Sequence, residues 1–153
     1  MLKDNLLKYI KPINIWNELG ICGLYWLISI LYLGPSITED PLTTKYRFEV
    51  IRYVVIILCL VLIASITIRG IRKYPERIIF SNFLFGLIVG TIEFILIGFG
   101  FWSADSIIIK MSVLTFFSLS LMKGLIAGVL AVLWGWAIVT VITVFKKQKN
   151  ELS

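Results

Sequence analysis

Hydrophobic residues along the chain fall into four long, nearly unbroken runs, at 16–33, 50–68, 78–101 and 119–145. Each approaches or exceeds the roughly 20 helical residues needed to cross a lipid hydrocarbon core. The pattern predicts an all-α membrane protein of four transmembrane helices. They are expected to form a compact helical bundle within a single integral membrane domain, 1–153, with short tails at 1–15 and 146–153. Lys3, Lys8 and Lys11 precede the first run as they would in a signal peptide. That run is long for such a role and has no small-x-small cleavage site at its end, so it is expected to remain as a helix.

The polar interruptions agree with this division. Pro12, Pro35, Pro41 and Pro75 all fall outside the four runs, where they end helices without stranding backbone groups in lipid. Segment 34–49 reads as a polar loop. Segment 103–118 turns apolar again after Asp105 and Ser106 and contains Lys110. It is too short for a fifth crossing, and an interfacial helix, a re-entrant segment or an extension of the fourth helix all fit it.

Basic residues then set an orientation. Lys3, Lys8 and Lys11, then Arg69, Arg72, Lys73 and Arg77, then Lys146, Lys147 and Lys149 lie on one side of the predicted topology, ten of the fifteen Lys and Arg in the chain. Short loops rich in Lys and Arg stay in the cytoplasm. Both termini are therefore expected there, in a multi-pass protein of the plasma membrane. Trp16, Tyr32, Tyr46, Tyr53, Tyr74 and Trp102 sit near predicted interfaces, where amphipathic rings are favoured. Trp134 and Trp136 lie deeper and are expected to face neighbouring helices or lipid tails.

Composition strengthens the membrane reading: 59% of residues are hydrophobic and 16% charged. The net charge of +6 reads as topological rather than as a nucleic-acid footprint, because its basic residues cluster beside apolar runs. The chain has no histidine, which removes His-ligated haem, the usual zinc sites and His-based acid–base catalysis. Cys22 and Cys59 lie in separate apolar runs, expected as two buried thiols with no CxxC chemistry. No metal and no cofactor is expected.

Charged residues inside lipid are costly, about 2.5–3.5 kcal/mol each at a helix centre on insertion scales, and so direct attention to any that occur. Glu93 lies roughly 22 Å into the third run, and Lys123 roughly 6 Å below the start of the fourth. An ion pair between Glu93 and Lys123 is predicted, with Arg52 near enough in depth to compete for the carboxylate. Such a pair serves either to fix helix register or to bind a proton or cation in transport. Glu18, within a turn of the boundary, is expected to snorkel to water.

Two small-xxx-small motifs, Gly86 with Gly90 and Gly124 with Gly128, point to close helix packing. Gly86 and Gly124 fall near opposite faces of the membrane, so the motifs are not expected to meet within one chain. Each is expected to pack on another helix, a second copy or another protein. Arg69, Arg72, Lys73 and Arg77 are expected at the lipid surface, as topology determinants or as contacts to anionic head groups.

The only aspartates, Asp4, Asp40 and Asp105, lie outside the runs, and nothing resembles the reactive constellation of an intramembrane enzyme. The residues fit a non-catalytic accessory, regulatory or stabilising subunit of a membrane complex, working in the bilayer with another membrane protein or as a homo-oligomer. The alternative is a small oligomeric transporter or channel for a proton, cation or small solute, using Glu93.

Overall fold

The computed structural model describes residues 11–33, 41–101 and 112–151. Within them the chain is all-helical, without strands: α1 (Trp16–Leu33), α2 (Pro41–Lys73), a 3₁₀ turn (Pro75–Arg77), α3 (Ile78–Phe101) and α4 (Val113–Glu151). Three segments are long and apolar enough to cross a membrane, Val50–Lys73, Pro75–Leu96 and Val113–Glu151. The 18 residues of α1 reach about 27 Å, just short of a hydrocarbon core of about 30 Å, and they carry Glu18 in the first turn.

Two expected boundaries move. Helix α2 starts at Pro41 rather than near residue 50, so 41–49 belongs to a helix and not to a polar loop. Proline suits a first helical position, where its missing N–H would have had no partner anyway. Helix α4 starts at Val113 rather than near residue 119. Ser112 caps it, its Oγ accepting from the Thr115 N–H at 3.2 Å, which satisfies a donor the helix itself cannot. Of the readings for 103–118, helix extension holds from Val113 onward; 102–111 lies outside the described residues. At the other end α4 continues through Lys146, Lys147 and Lys149 to Glu151, so the expected tail is mostly helix.

Hydroxyls on the helices are hidden by bonding back along their own backbone. Ser29, Ser118, Ser120, Thr140 and Thr143 each donate to the carbonyl four residues earlier at 2.8–3.0 Å, removing a donor that would be expensive to leave bare in lipid.

The closest association is between α3 and α4, with α2 alongside both and α1 against α2 and α3. Helix α4 buries a single stripe of small residues, Ser120, Gly124, Gly128, Ala131 and Gly135, at spacings of three and four that keep them on one face. A β-carbon on Gly86 would stand 2.6 Å from the Ala127 carbonyl oxygen, and one on Gly90 would stand 3.2 Å from the Gly124 α-carbon. The two glycine motifs therefore meet within one chain, contrary to expectation. Antiparallel helices pair in inverted order, Gly86 with Gly128 and Gly90 with Gly124, and two motifs of equal spacing match in that order.

The core on the other side of α3 is aliphatic and aromatic, with Ile15, Cys22, Leu62, Ile66, Phe85 and Val89 buried together. Cys59 packs against this cluster but is only half-buried, so of the two thiols expected to be buried only Cys22 is, although both border one core. Residues ahead of α1 join in: Ile13 is buried, and its N–H donates to Ser81 Oγ at 2.7 Å. Gly70 leaves the space for this, since a β-carbon there would lie 2.5 Å from Ile78 and 2.9 Å from Ile13.

Candidate functional site: charged and polar pairs between helices

Lys123 Nζ stands 3.2 Å from Glu93 Oε2 across the α3–α4 interface. The early start of α4 explains how they meet. Counted from Val113, Lys123 lies about 15 Å along its helix, and Glu93 about 12 Å from the matching end of α3, so the lysine has little depth to span. Close backbone approach at Gly90 and Gly124 brings both stems to one level. The Lys123 ammonium also lies 5.7 Å from the centroid of Phe94, within the range of cation–π attraction. Phe116 packs on Phe94 at 5.6 Å. The Glu93 side chain keeps 18% of its exposure and that of Lys123 39%, so the pair is shielded but not sealed. Arg52, by contrast, is exposed on α2, and among the described residues no ion pair joins it to Glu93.

A second pair lies at the opposite end of the bundle. Glu18 is 4% exposed, and its Oε1 accepts from Arg69 Nη2 at 2.6 Å and from Ser65 Oγ at 3.3 Å. This corrects the expectation that Glu18 reaches water. Although it is near a helix end, α2 passes alongside and supplies the cation. Glu18 Oε2 and Arg69 Nε remain buried without a hydrogen-bond partner among the described residues.

Arg69 is thereby separated from the basic cluster expected at the lipid surface. Arg77 is also engaged, its guanidinium 4.5 Å from the Tyr74 ring centroid and its Nε 4.0 Å from Glu76 Oε1. Arg72 and Lys73 are the exposed members.

A third polar contact is neutral. Asn82, 1% exposed, donates from Nδ2 to Thr67 Oγ1 at 2.9 Å between α3 and α2. A β-carbon on Gly135 would collide with the Asn82 amide, so this glycine makes room for the bond. Interhelical amide and hydroxyl bonds of this kind hold membrane helices together. The polar pair Ser81-Asn82 inside an apolar run is the signal that locates it. Trp134 adds a further tie, donating from Nε1 to the Leu60 carbonyl at 3.2 Å, whereas Trp136 is 69% exposed.

Chemically, the two carboxylates are each held by a cation from the next helix. Among the described residues no three His, Cys, Asp or Glu side chains gather as a metal site. Each pair compensates a carboxylate with a cation across a helix interface, the geometry by which intramembrane charges are tolerated. Comparison of the chain with protein-family models, with curated proteins and with solved structures gives no match in any of the three.

Proposed function

We propose that the protein is a non-catalytic accessory, regulatory or stabilising subunit of a plasma-membrane complex, crossing the bilayer four times with both termini in the cytoplasm. The observation that carries this reading is the unequal use of α4. One narrow face packs within the chain, while Leu121, Ile126, Leu130, Leu133 and Trp136 remain between 52% and 69% exposed. A wide apolar face of this kind is suited to lipid or to another membrane helix. The Glu93–Lys123 pair fits the same role, as an internal brace that keeps the face straight.

Purification in mild detergent, with native mass and identification of co-purifying proteins, tests the reading. A stable heteromer is the expected result. A clean homo-oligomer whose reconstituted vesicles pass protons or cations, and lose that flux on Glu93→Gln, would replace it with the second reading, a small oligomeric transporter or channel. The residual exposure of Glu93 and Lys123 is what favours that alternative.

A further inference from the structure

Near the 3₁₀ turn, an apolar groove of about 420 Å³ runs between the α2–α3 hairpin and α4. Ile71, Pro75 and Ile79 line one wall, and Val132, Trp136 and Val139 the other. Ile79 and Trp136 are 68% and 69% exposed, so the groove opens to whatever surrounds the chain. Its volume lies within the range of small-ligand sites, and apart from Asn82, whose Nδ2 is bonded to Thr67 Oγ1, its walls are apolar and suit a hydrocarbon chain.

The charges are placed at one end. Arg72 and Lys73 fall in sequence between the wall residues Ile71 and Pro75, in the last turn of α2 beside the 3₁₀ turn, and both are exposed. On α4, Val132, Val139 and Lys146 follow one another at seven-residue intervals and so share a face. Lys146 is exposed and lies about 10 Å beyond Val139. Helical side chains lean toward the helix N-terminus, which turns the Lys146 stem back toward the groove. The nearby carboxylate, Glu76, faces Arg77 at 4.0 Å.

An apolar trough with cations only at its mouth is complementary to an amphiphile with a hydrocarbon tail and an anionic head. A free phosphate would use the cations and leave the walls bare. Basic pockets between membrane helices at the lipid surface commonly hold anionic head groups. We propose that this groove seats one acyl chain of an anionic phospholipid, whose phosphate is held by Arg72, Lys73 and Lys146. The inference rests on the reading of the three long apolar segments as membrane spans.

The test places the full chain in nanodiscs containing equal amounts of phosphatidylcholine and phosphatidylglycerol. Transfer to mild detergent and native mass spectrometry then identify the retained lipid. The parent protein is expected to retain phosphatidylglycerol over phosphatidylcholine on the order of tenfold. The triple variant Arg72→Gln, Lys73→Gln, Lys146→Gln, altered only at exposed positions, is expected to lose that preference. Val139→Trp, which fills the groove and leaves the charges in place, is expected to lower retention of both lipids, with circular dichroism confirming that it stays folded. Equal retention of the two lipids by the parent, or a preference that survives the triple variant, overturns the site. Release of the chain from membranes by alkaline carbonate would overturn the membrane reading and the site together. A carbonate-resistant chain with no lipid preference overturns the site alone.

Discussion

A β-carbon added to Gly86 would stand 2.8 Å from the α-carbon of Gly128. The two residues allow α3 and α4 to touch backbone to backbone, and the atoms a larger residue would meet there are the Ala127 carbonyl oxygen, the Gly128 α-carbon and the Ala131 β-carbon, none of which can swing aside. Gly86→Ala is therefore expected to destabilise the detergent-solubilised protein by about 1–3 kcal/mol through forced separation of the helices. Gly20→Ala provides the comparison, since a β-carbon there meets nothing within 4 Å. It should be neutral or gain about 0.5–1 kcal/mol from helix propensity. Thermal melts of the two variants decide the matter, and equal behaviour would remove the glycine interface from the account.

Glu93 and Lys123 are expected to be energetically coupled. Glu93→Gln and Lys123→Gln should each destabilise the protein, and the double variant should lose less than their sum, with a coupling on the order of 1 kcal/mol. That value lies low in the range for contacting residues because Lys123 retains considerable exposure. A double-mutant cycle from reversible denaturation measures it. Strict additivity would show that the two charges do not support each other.

Glu18 and Arg69 should behave asymmetrically. Removing the arginine with Arg69→Met leaves a carboxylate that is 5% exposed and unpaired, a loss of about 3 kcal/mol or more. Glu18→Gln leaves an arginine already 34% exposed, which can reach water along its flexible stem and should cost about 1–2 kcal/mol. The ratio of the two losses, read from the same denaturation curves, is the diagnostic. A larger loss for Glu18→Gln would contradict the deeper burial of Glu18 relative to Arg69.

Helix existence was legible in the sequence wherever apolar length alone decides it. The bounds of α1 and α3 follow directly from the runs at 16–33 and 78–101. The start of α4 is harder to read, because apolar residues continue upstream of 119 at Val113, Leu114, Phe116 and Phe117 without a hydropathy break, and the decisive signal is local, the Thr115 N–H donating to Ser112 Oγ. The glycine contact is not visible from depth in chain order, which sets Gly86 against Gly124, because antiparallel packing pairs Gly86 with Gly128. Depth counting did lead to Glu93 and Lys123, which share a level on adjacent helices. It misplaced Glu18, because distance from a helix end does not reveal which side chain of another helix, here Arg69, comes alongside.

The 39 residues of α4 extend about 58 Å, against about 36 Å for the 24 residues of α3. With Gly135 already level with Asn82 near the start of α3, the last turns of α4 overhang the bundle and carry Lys146, Lys147 and Lys149. A helix longer than its bilayer must tilt or protrude. The tilt of α4, and with it the height of those lysines above the lipid surface, is therefore coupled to membrane thickness.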